Sequence, residues 1–112
     1  MHPITMHLIT GANGFLGRIL RAGLSGPVAT LGRRDATYRV DLAAQVPAFE
    51  QGFDLVIHAA GKAHSLPRSA EEADAFFAVN LRGTEHLLAG LERAPRLPRA
   101  LVFISTVAVY GL

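Results

Sequence analysis

The segment Thr10-Gly11-Ala12-Asn13-Gly14-Phe15-Leu16-Gly17 follows directly on the apolar run Met6-His7-Leu8-Ile9, and no other feature constrains the fold of this chain as much. An apolar run that ends in spaced glycines and reopens as a helical pattern reads as strand, tight turn and helix. Gly11 tolerates positive φ because it has no Cβ. Gly14 lets the backbone come close to a ligand, and Gly17 lets the new helix lie against the strand it has just left. The start of that helix offers unpaired N–H groups and a partial positive charge to an anion. This arrangement holds a dinucleotide pyrophosphate, and the flanking strand and helix give the glycine spacing its weight.

Strand and helix patterns alternate along the rest of the chain. After a strand over Met6 to Thr10, a helix is expected from Phe15 to Leu24, with Phe15, Leu16, Ile19, Leu20 and Leu24 at helical spacing. Ser25-Gly26-Pro27 ends it, with a glycine beyond the last turn and a proline that cannot continue it. Short strands follow at Val28 to Arg33 and Tyr38 to Asp41. Ala43 to Gln51 has room for one helical turn or two, limited by Pro47. Asp54 to Ala60 reads as a strand whose continuous apolar centre suits burial on both faces. Ser69 with Glu72 has the form of a capping box and predicts a long helix over Ala70 to Arg93. Its inward side is expected to carry Phe76, Phe77, Leu81, Thr84, Leu87, Leu88 and Leu91. Pro95 and Pro98 break the chain before a fifth strand at Ala100 to Ser105. Such alternation with right-handed crossovers gives an α/β fold with a doubly wound parallel sheet in the order 3-2-1-4-5. The fifth strand would then be an edge, which invites edge pairing or a homo-oligomer unless something covers it.

Composition narrows the function classes. At 112 residues the chain forms one domain at most, and a 50% hydrophobic content argues against disorder. The absence of cysteine excludes disulfides, thiolate metal sites and cysteine nucleophiles, and it fits a cytoplasmic protein. No apolar run approaches the roughly 20 residues of a membrane helix, and the amino terminus has no secretory layout. A net charge of +2 raises the question of nucleic acid. The arginines are scattered among acids, however, with no basic stripe, so no nucleic-acid partner is expected.

Five places carry candidate chemistry. Arg33 and Arg34 close the second strand where a dinucleotide fold meets the adenosine ribose. The planar fork of arginine suits a 2′-phosphate, which favours NADP over NAD, with Arg33 the stronger candidate. The alternatives are that both arginines are solvated, or that Asp35 partly neutralises them. Asp41 can accept from an adenine amino group while Leu42 packs on the ring, or Asp41 can simply cap the turn. Ala59, Ala60 and Gly61 are small where a backbone must approach a ligand. His58 reads as a strand-end histidine satisfied by neighbouring backbone, and Lys62 as a loop charge. With His64 nearby but no third ligand at suitable spacing, no metal is expected. Asn80 and Gly83 both cost helix stability. Gly83 can allow close helix contact, and Asn80 can bond the loop after the fourth strand or be a tolerated surface residue. Ser105 and Thr106 emerge at the carboxyl end of the fifth strand, where a hydroxyl can orient a substrate oxygen or bond its own turn.

Taken in order, TGANGFLG, LGRRD, the Val40-Asp41-Leu42 step, VIHAAGKAH, VNLRGT and FISTVAVYG resemble the extended short-chain dehydrogenase/reductase family, in particular its NAD-dependent epimerase/dehydratase members. The resemblance spans nearly the whole chain. It implies a Rossmann fold, NAD(P) binding and, in many relatives, chemistry on nucleotide-activated sugars. It implies a pyrophosphate loop at Gly11, Asn13, Gly14, Phe15, Leu16 and Gly17, and a 2′-phosphate contact at Arg33 beside Arg34. It further implies an adenine contact at Asp41 and Leu42, a cofactor wall at Ala59, Ala60 and Gly61, and the helical asparagine at Asn80. Thr106 resembles the catalytic Ser/Thr of the family, and Ser105 would line the cofactor beside it. The departure is the tyrosine–lysine pair, Tyr-x-x-x-Lys, that serves these enzymes as a tuned acid/base. Tyr110 is followed by Gly111 and Leu112, and Tyr38 has Leu42 four positions on, so neither forms it. The chain is therefore expected to be the amino-terminal cofactor-binding portion of an epimerase, dehydratase or reductase, without the substrate region and inactive alone. The alternative expectation is a non-catalytic NADP(H)-binding or regulatory module that pairs with another chain.

Overall fold

The computed structural model describes residues 6–11, 15–59 and 68–104. In chain order these form β1 (His7–Thr10), α1 (Phe15–Gly23), β2 (Val28–Gly32), β3 (Tyr38–Arg39), β4 (Leu55–His58), α2 (Ala70–Arg93) and β5 (Ala100–Phe103). The five strands pair in parallel in the order β3-β2-β1-β4-β5, as the alternation predicts. Each strand is a residue or more shorter than its apolar run, because pairing ends where the chain must turn toward the next helix or loop.

The central strand β1 shows why the sheet needs cover on both sides. Successive side chains of a strand point to opposite faces. Leu8 joins Val56, Leu87 and Leu91 in one core cluster, while Ile9 and Ile57 form another with Leu20 and Leu24. So α2 covers one face and α1 the other, which is the doubly wound arrangement. Leu8, Ile9, Phe53 and Val56 are fully enclosed, and each contributes about 1.5–3 kcal/mol by leaving water.

Helix α2 begins and ends where its signals stand. The Glu72 N–H donates to the Ser69 hydroxyl at 3.1 Å, and the Glu72 carboxylate accepts from Arg68 N–H at 3.3 Å. The return bond of the box thus lands one residue before the cap. At the other end the Ala94 N–H donates to the Leu91 carbonyl before Pro95 stops the chain.

The buried face of α2 differs from the expected one. Leu87 and Leu91 are buried, but Phe77, Leu81 and Leu88 are exposed, and Gly83 and Gly90 are buried in their place. The helix is apolar on more than one side, so spacing alone does not choose the inward stripe. The choice is made by segment 42–49, which packs against this face and comes closest at Gly90. A Cβ on Gly90 would stand 2.7 Å from both the Cγ and the carbonyl oxygen of Pro47. At Gly83 it would meet the Leu42 Cβ at an ordinary 3.5 Å, so the tight approach expected at Gly83 occurs two turns later.

Segment 43–51 contains one turn and no helix. The Asp41 carbonyl accepts from Ala44 and Gln45 N–H at 2.9 and 3.0 Å, and then the chain runs on irregularly. It delivers Phe49 and Phe53 into an edge-to-face cluster with Tyr38, with centroids 5.1 Å apart from Tyr38 to Phe49 and 5.1 Å from Phe49 to Phe53. The Tyr38 hydroxyl donates to Glu50 and accepts from Gln51, both at 3.0 Å, and burial raises the pKa of its phenol. This cluster was not expected from the sequence, since its members are separated by a segment with no regular period.

Strand β5 lies at the edge of the sheet, and Leu101, Val102 and Phe103 are all exposed. At the amino-terminal side of the sheet, the Asp54 carbonyl accepts from Arg99 and Ala100 N–H, and its carboxylate pairs with Arg96 at 2.6 Å. That ion pair holds the Asp54 carboxyl below the usual carboxylate range. The strap 94–99 thereby brings β5 into register beside β4, with His58 opposite Phe103.

Candidate dinucleotide site

Open parallel sheets bind ligands outside the carboxyl ends of their strands, where the strand order reverses. Here that point lies between β1, which leads by way of α1 to β2 on one side, and β4 on the other. Thr10 and His58 are register partners at this switch point.

Gly11 follows Thr10 with φ 72, the left-handed conformation that a residue with a Cβ avoids. Its N–H donates to the Leu31 carbonyl at 3.3 Å, tying the turn to β2. Helix α1 then starts at Phe15 with no acidic side chain in its first turn, so nothing there repels a phosphate. Gly17 is buried, which fits close packing of α1 on the sheet. Phe15 and Leu16 contribute the first helical positions of α1. Asn13 and Gly14 lie outside the described residues.

Arg33 and Arg34 are exposed in the connection from β2 to β3. Parallel neighbours usually need a crossover of a dozen residues or more. Here β3 pairs only with the last two residues of β2, Leu31 with Tyr38 and Gly32 with Arg39, so the chain has little distance to return. Asp35, also exposed, absorbs the reversal at φ 45. Two reciprocal bonds clasp the base of this turn: Thr30 N–H donates to the Thr37 hydroxyl at 3.1 Å, and Thr37 N–H to the Thr30 hydroxyl at 3.0 Å.

Asp41 and Leu42 are divided between surface and core. Asp41 is exposed, and one carboxylate oxygen accepts from Ala43 N–H at 3.1 Å, which caps the turn. Leu42 is 8% exposed and belongs to the core, with its carbonyl hydrogen-bonded by the His86 ring from α2. The segment at Asp41 and Leu42 is therefore tied to α2.

His58 is buried, and its ring is satisfied by side chains rather than by the backbone partners expected. Its Nδ1 lies 2.6 Å from the Thr10 hydroxyl, and its Nε2 lies 3.1 Å from the Thr84 hydroxyl. Thr84 in turn donates to the Asn80 carbonyl at 2.9 Å. Burial pushes the imidazole below the ordinary histidine range. Ala59 N–H donates to both the carbonyl and the hydroxyl of Thr10, at 3.2 and 3.1 Å. The Asn80 side chain is exposed. Ala60, Gly61, Lys62, His64, Ser105 and Thr106 lie outside the described residues. Ile104, which precedes Ser105, is held by its N–H on the His58 carbonyl at 3.0 Å. Among the described residues no group of acidic or histidine side chains could hold a metal, and no helix is long and apolar enough to cross a membrane.

Fold and switch point together define a Rossmann-like α/β domain. The model of the NAD dependent epimerase/dehydratase family matches residues 7–112, and the chain belongs to that family. No curated protein matches it. A solved structure, "The crystal structure of the protein lin1944 from Listeria innocua", is similar with a TM-score of 0.59 and 21% identity. The match covers 80% of this chain and 50% of that one, so the chain spans about half the length of the structure it resembles. At that identity the likeness bears on the fold alone.

Proposed function

We propose that this chain is the NADP-binding portion of an epimerase, dehydratase or reductase acting on a nucleotide-activated sugar or a related carbonyl or alcohol substrate, in a cytoplasmic setting. The observation that carries the reading is the switch point itself. Gly11 stands in the left-handed conformation directly after β1, and the start of α1 bears no acid. The residues present fit a dinucleotide. Gly11, Asn13, Gly14, Phe15, Leu16 and Gly17 would take its pyrophosphate, and Asp41 with Leu42 its adenine. Ala59, Ala60 and Gly61 would wall the ribose, with Asn80 behind them.

Arg33 and Arg34 supply the preference for NADP. They are exposed on a turn whose base the Thr30–Thr37 clasp fixes, so both guanidinium groups start from a defined place at the surface. The cofactor supplies a hydride acceptor and donor when bound. Thr106 would position the substrate oxygen and Ser105 would line the cofactor, both following the strand that Ile104 anchors beside His58. The acid/base tyrosine and its lysine would come from outside these 112 residues. Calorimetric titration with NADP⁺ and NAD⁺ tests the reading. NADP⁺ should bind more tightly by roughly 10- to 100-fold, the worth of charge-assisted bonds to one phosphate, and Arg33→Ala should erase most of that difference. Equal affinities, or a preference that survives Arg33→Ala with Arg34→Ala, would overturn it.

A further inference from the structure

Gly32 is the last residue of β2, a place where glycine weakens a strand because it loses more backbone entropy on folding and packs nothing. A glycine there answers to a positive φ, to a close neighbour within the protein, or to a ligand that approaches the backbone. The protein supplies neither of the first two. Among the described glycines, positive φ belongs to Gly11 and Gly26. A Cβ on Gly32 would meet the Arg34 carbonyl oxygen at 3.8 Å and the Ala36 Cβ at 3.9 Å, both ordinary contacts. By contrast, a Cβ on Gly90 would collide with Pro47, and one on Gly52 with the Arg96 stem. Gly23 and Gly83 also have room, but Gly23 closes α1 and Gly83 is buried against Leu42. Gly32 stands instead at the carboxyl end of a strand and is half-buried.

Its neighbours supply the remaining reason. Strands β1 and β2 pair as far as Thr10 and Leu31, and the Gly11 N–H continues the ladder onto the Leu31 carbonyl. Gly11 and Gly32 therefore stand side by side one step further on. Leu31 belongs to the core under α2, and successive residues of a strand face opposite ways, so Gly32 lies on the side of α1. The backbone there is fixed: the Gly32 carbonyl accepts from Val40 N–H at 3.0 Å, and the Thr30–Thr37 clasp lies on the same face just below. We propose that Gly32 is a contact residue of the dinucleotide site, its bare Cα being the surface against which the ribose of the adenosine half lies. The inference rests on the dinucleotide reading. A ribose joined to a pyrophosphate at the start of α1 and carrying a 2′-phosphate toward Arg33 and Arg34 must pass the residue between them, which is Gly32. The C–H side of a furanose ring reaches a backbone Cα only where no Cβ intervenes.

A contact with the ribose is distinguishable from an effect on the arginines. The turn that carries Arg33 and Arg34 leans over the same Cα, but a methyl group fits beside the Arg34 carbonyl and Ala36 without displacing either. Gly32→Ala therefore leaves the arginine turn in place and fills only the room beside it. The ribose is common to NAD and NADP, so its loss of contact falls on both alike. Displacement of the arginines would fall on NADP alone.

The test compares Gly32→Ala with the wild-type 112-residue chain in two measurements. Thermal unfolding without ligand should give a melting temperature equal to or above that of the wild type, since the fold has room for the methyl and alanine suits a strand no worse. Calorimetric titration with NADP⁺, NAD⁺ and 2′,5′-ADP, which is the adenosine half alone, should show Kd raised by about 10- to 100-fold, the effect of forcing one methyl into a packed contact. The factor should be common to all three ligands, leaving the preference for NADP⁺ unchanged. Three results would overturn the proposal: Kd values equal to those of the wild type, a loss confined to the ligands with a 2′-phosphate, or a melting temperature lowered by the substitution. A wild-type chain that binds none of the three ligands would instead refute the dinucleotide reading itself. Wild-type binding that Gly32→Ala leaves intact would refute the role of Gly32 and spare that reading.

Discussion

Two glycines of one helix should respond in opposite senses to the same substitution. Gly83 and Gly90 both lie within α2, where replacing glycine by alanine normally adds about 1 kcal/mol through lower backbone entropy in the unfolded chain. At Gly83 the new Cβ would meet Leu42 at 3.5 Å, an ordinary contact, so Gly83→Ala should stabilise by about 0.5–1 kcal/mol. At Gly90 it would stand 2.7 Å from the Pro47 carbonyl oxygen and 2.7 Å from its Cγ. Neither a backbone carbonyl nor a pyrrolidine ring swings aside as the end of a long side chain would. Overpacking of this kind costs about 1–3 kcal/mol, and the double clash puts Gly90 at the upper end. Net of the helical gain, Gly90→Ala should destabilise by about 2 kcal/mol, leaving the two variants about 3 kcal/mol apart. Urea unfolding with an unchanged slope would read this as midpoints displaced to either side of the wild type. Two glycines that stabilise alike, or a Gly90→Ala indistinguishable from wild type, would refute the close approach of Pro47 to α2.

Three further substitutions probe other joints. Asp54→Asn removes the Arg96 ion pair and should lower the melting temperature at neutral pH. Because the folded Asp54 pKa is depressed, its contribution is present above the usual carboxylate range and disappears as pH falls through the folded value. Wild type and variant should therefore converge in acid, and a gap that persists there would contradict the assignment. Thr37→Val opens the clasp under the arginine turn and leaves the Thr30 N–H without its acceptor, costing about 1–3 kcal/mol. It should also reduce the NADP⁺ preference in titration, whereas Thr37→Ser should keep both, and a Thr37→Val that retains full preference would disprove the clasp's role. Ser69→Ala removes the N-cap of α2 and should cost about 1 kcal/mol in denaturant unfolding, with no loss counting against the cap.

The parts of this fold that are legible in the sequence are those written locally. Gly11 after an apolar run required a turn with positive φ, and it has one. Ser69, Glu72 and Pro95 marked the ends of α2, which runs from Ala70 to Arg93 as its caps dictate. The parts not legible depend on distant partners. Nothing near His58 in the chain announces that Thr10 and Thr84, 48 and 26 residues away, will take its two ring nitrogens. The inward face of α2 was misread because Phe77, Leu81 and Leu88 suit a core as well as Leu87 and Leu91 do. The decision lies with Pro47 and Leu42, whose path through segment 42–49 has no periodic pattern. The clustering of Tyr38, Phe49 and Phe53 is not legible in the sequence for the same reason.

The central claim is that the carboxyl ends of β1, β2 and β4 form one dinucleotide site, and amide chemical-shift mapping on addition of NADP⁺ tests it most directly. The account predicts saturable shifts at Gly11, Gly32 to Asp35, Asp41, Ala59 and Asn80, with Met6, Gly52, Asp54 and Arg96 at the opposite edge unmoved. Shifts concentrated at that opposite edge, or none at saturating NADP⁺, would contradict it.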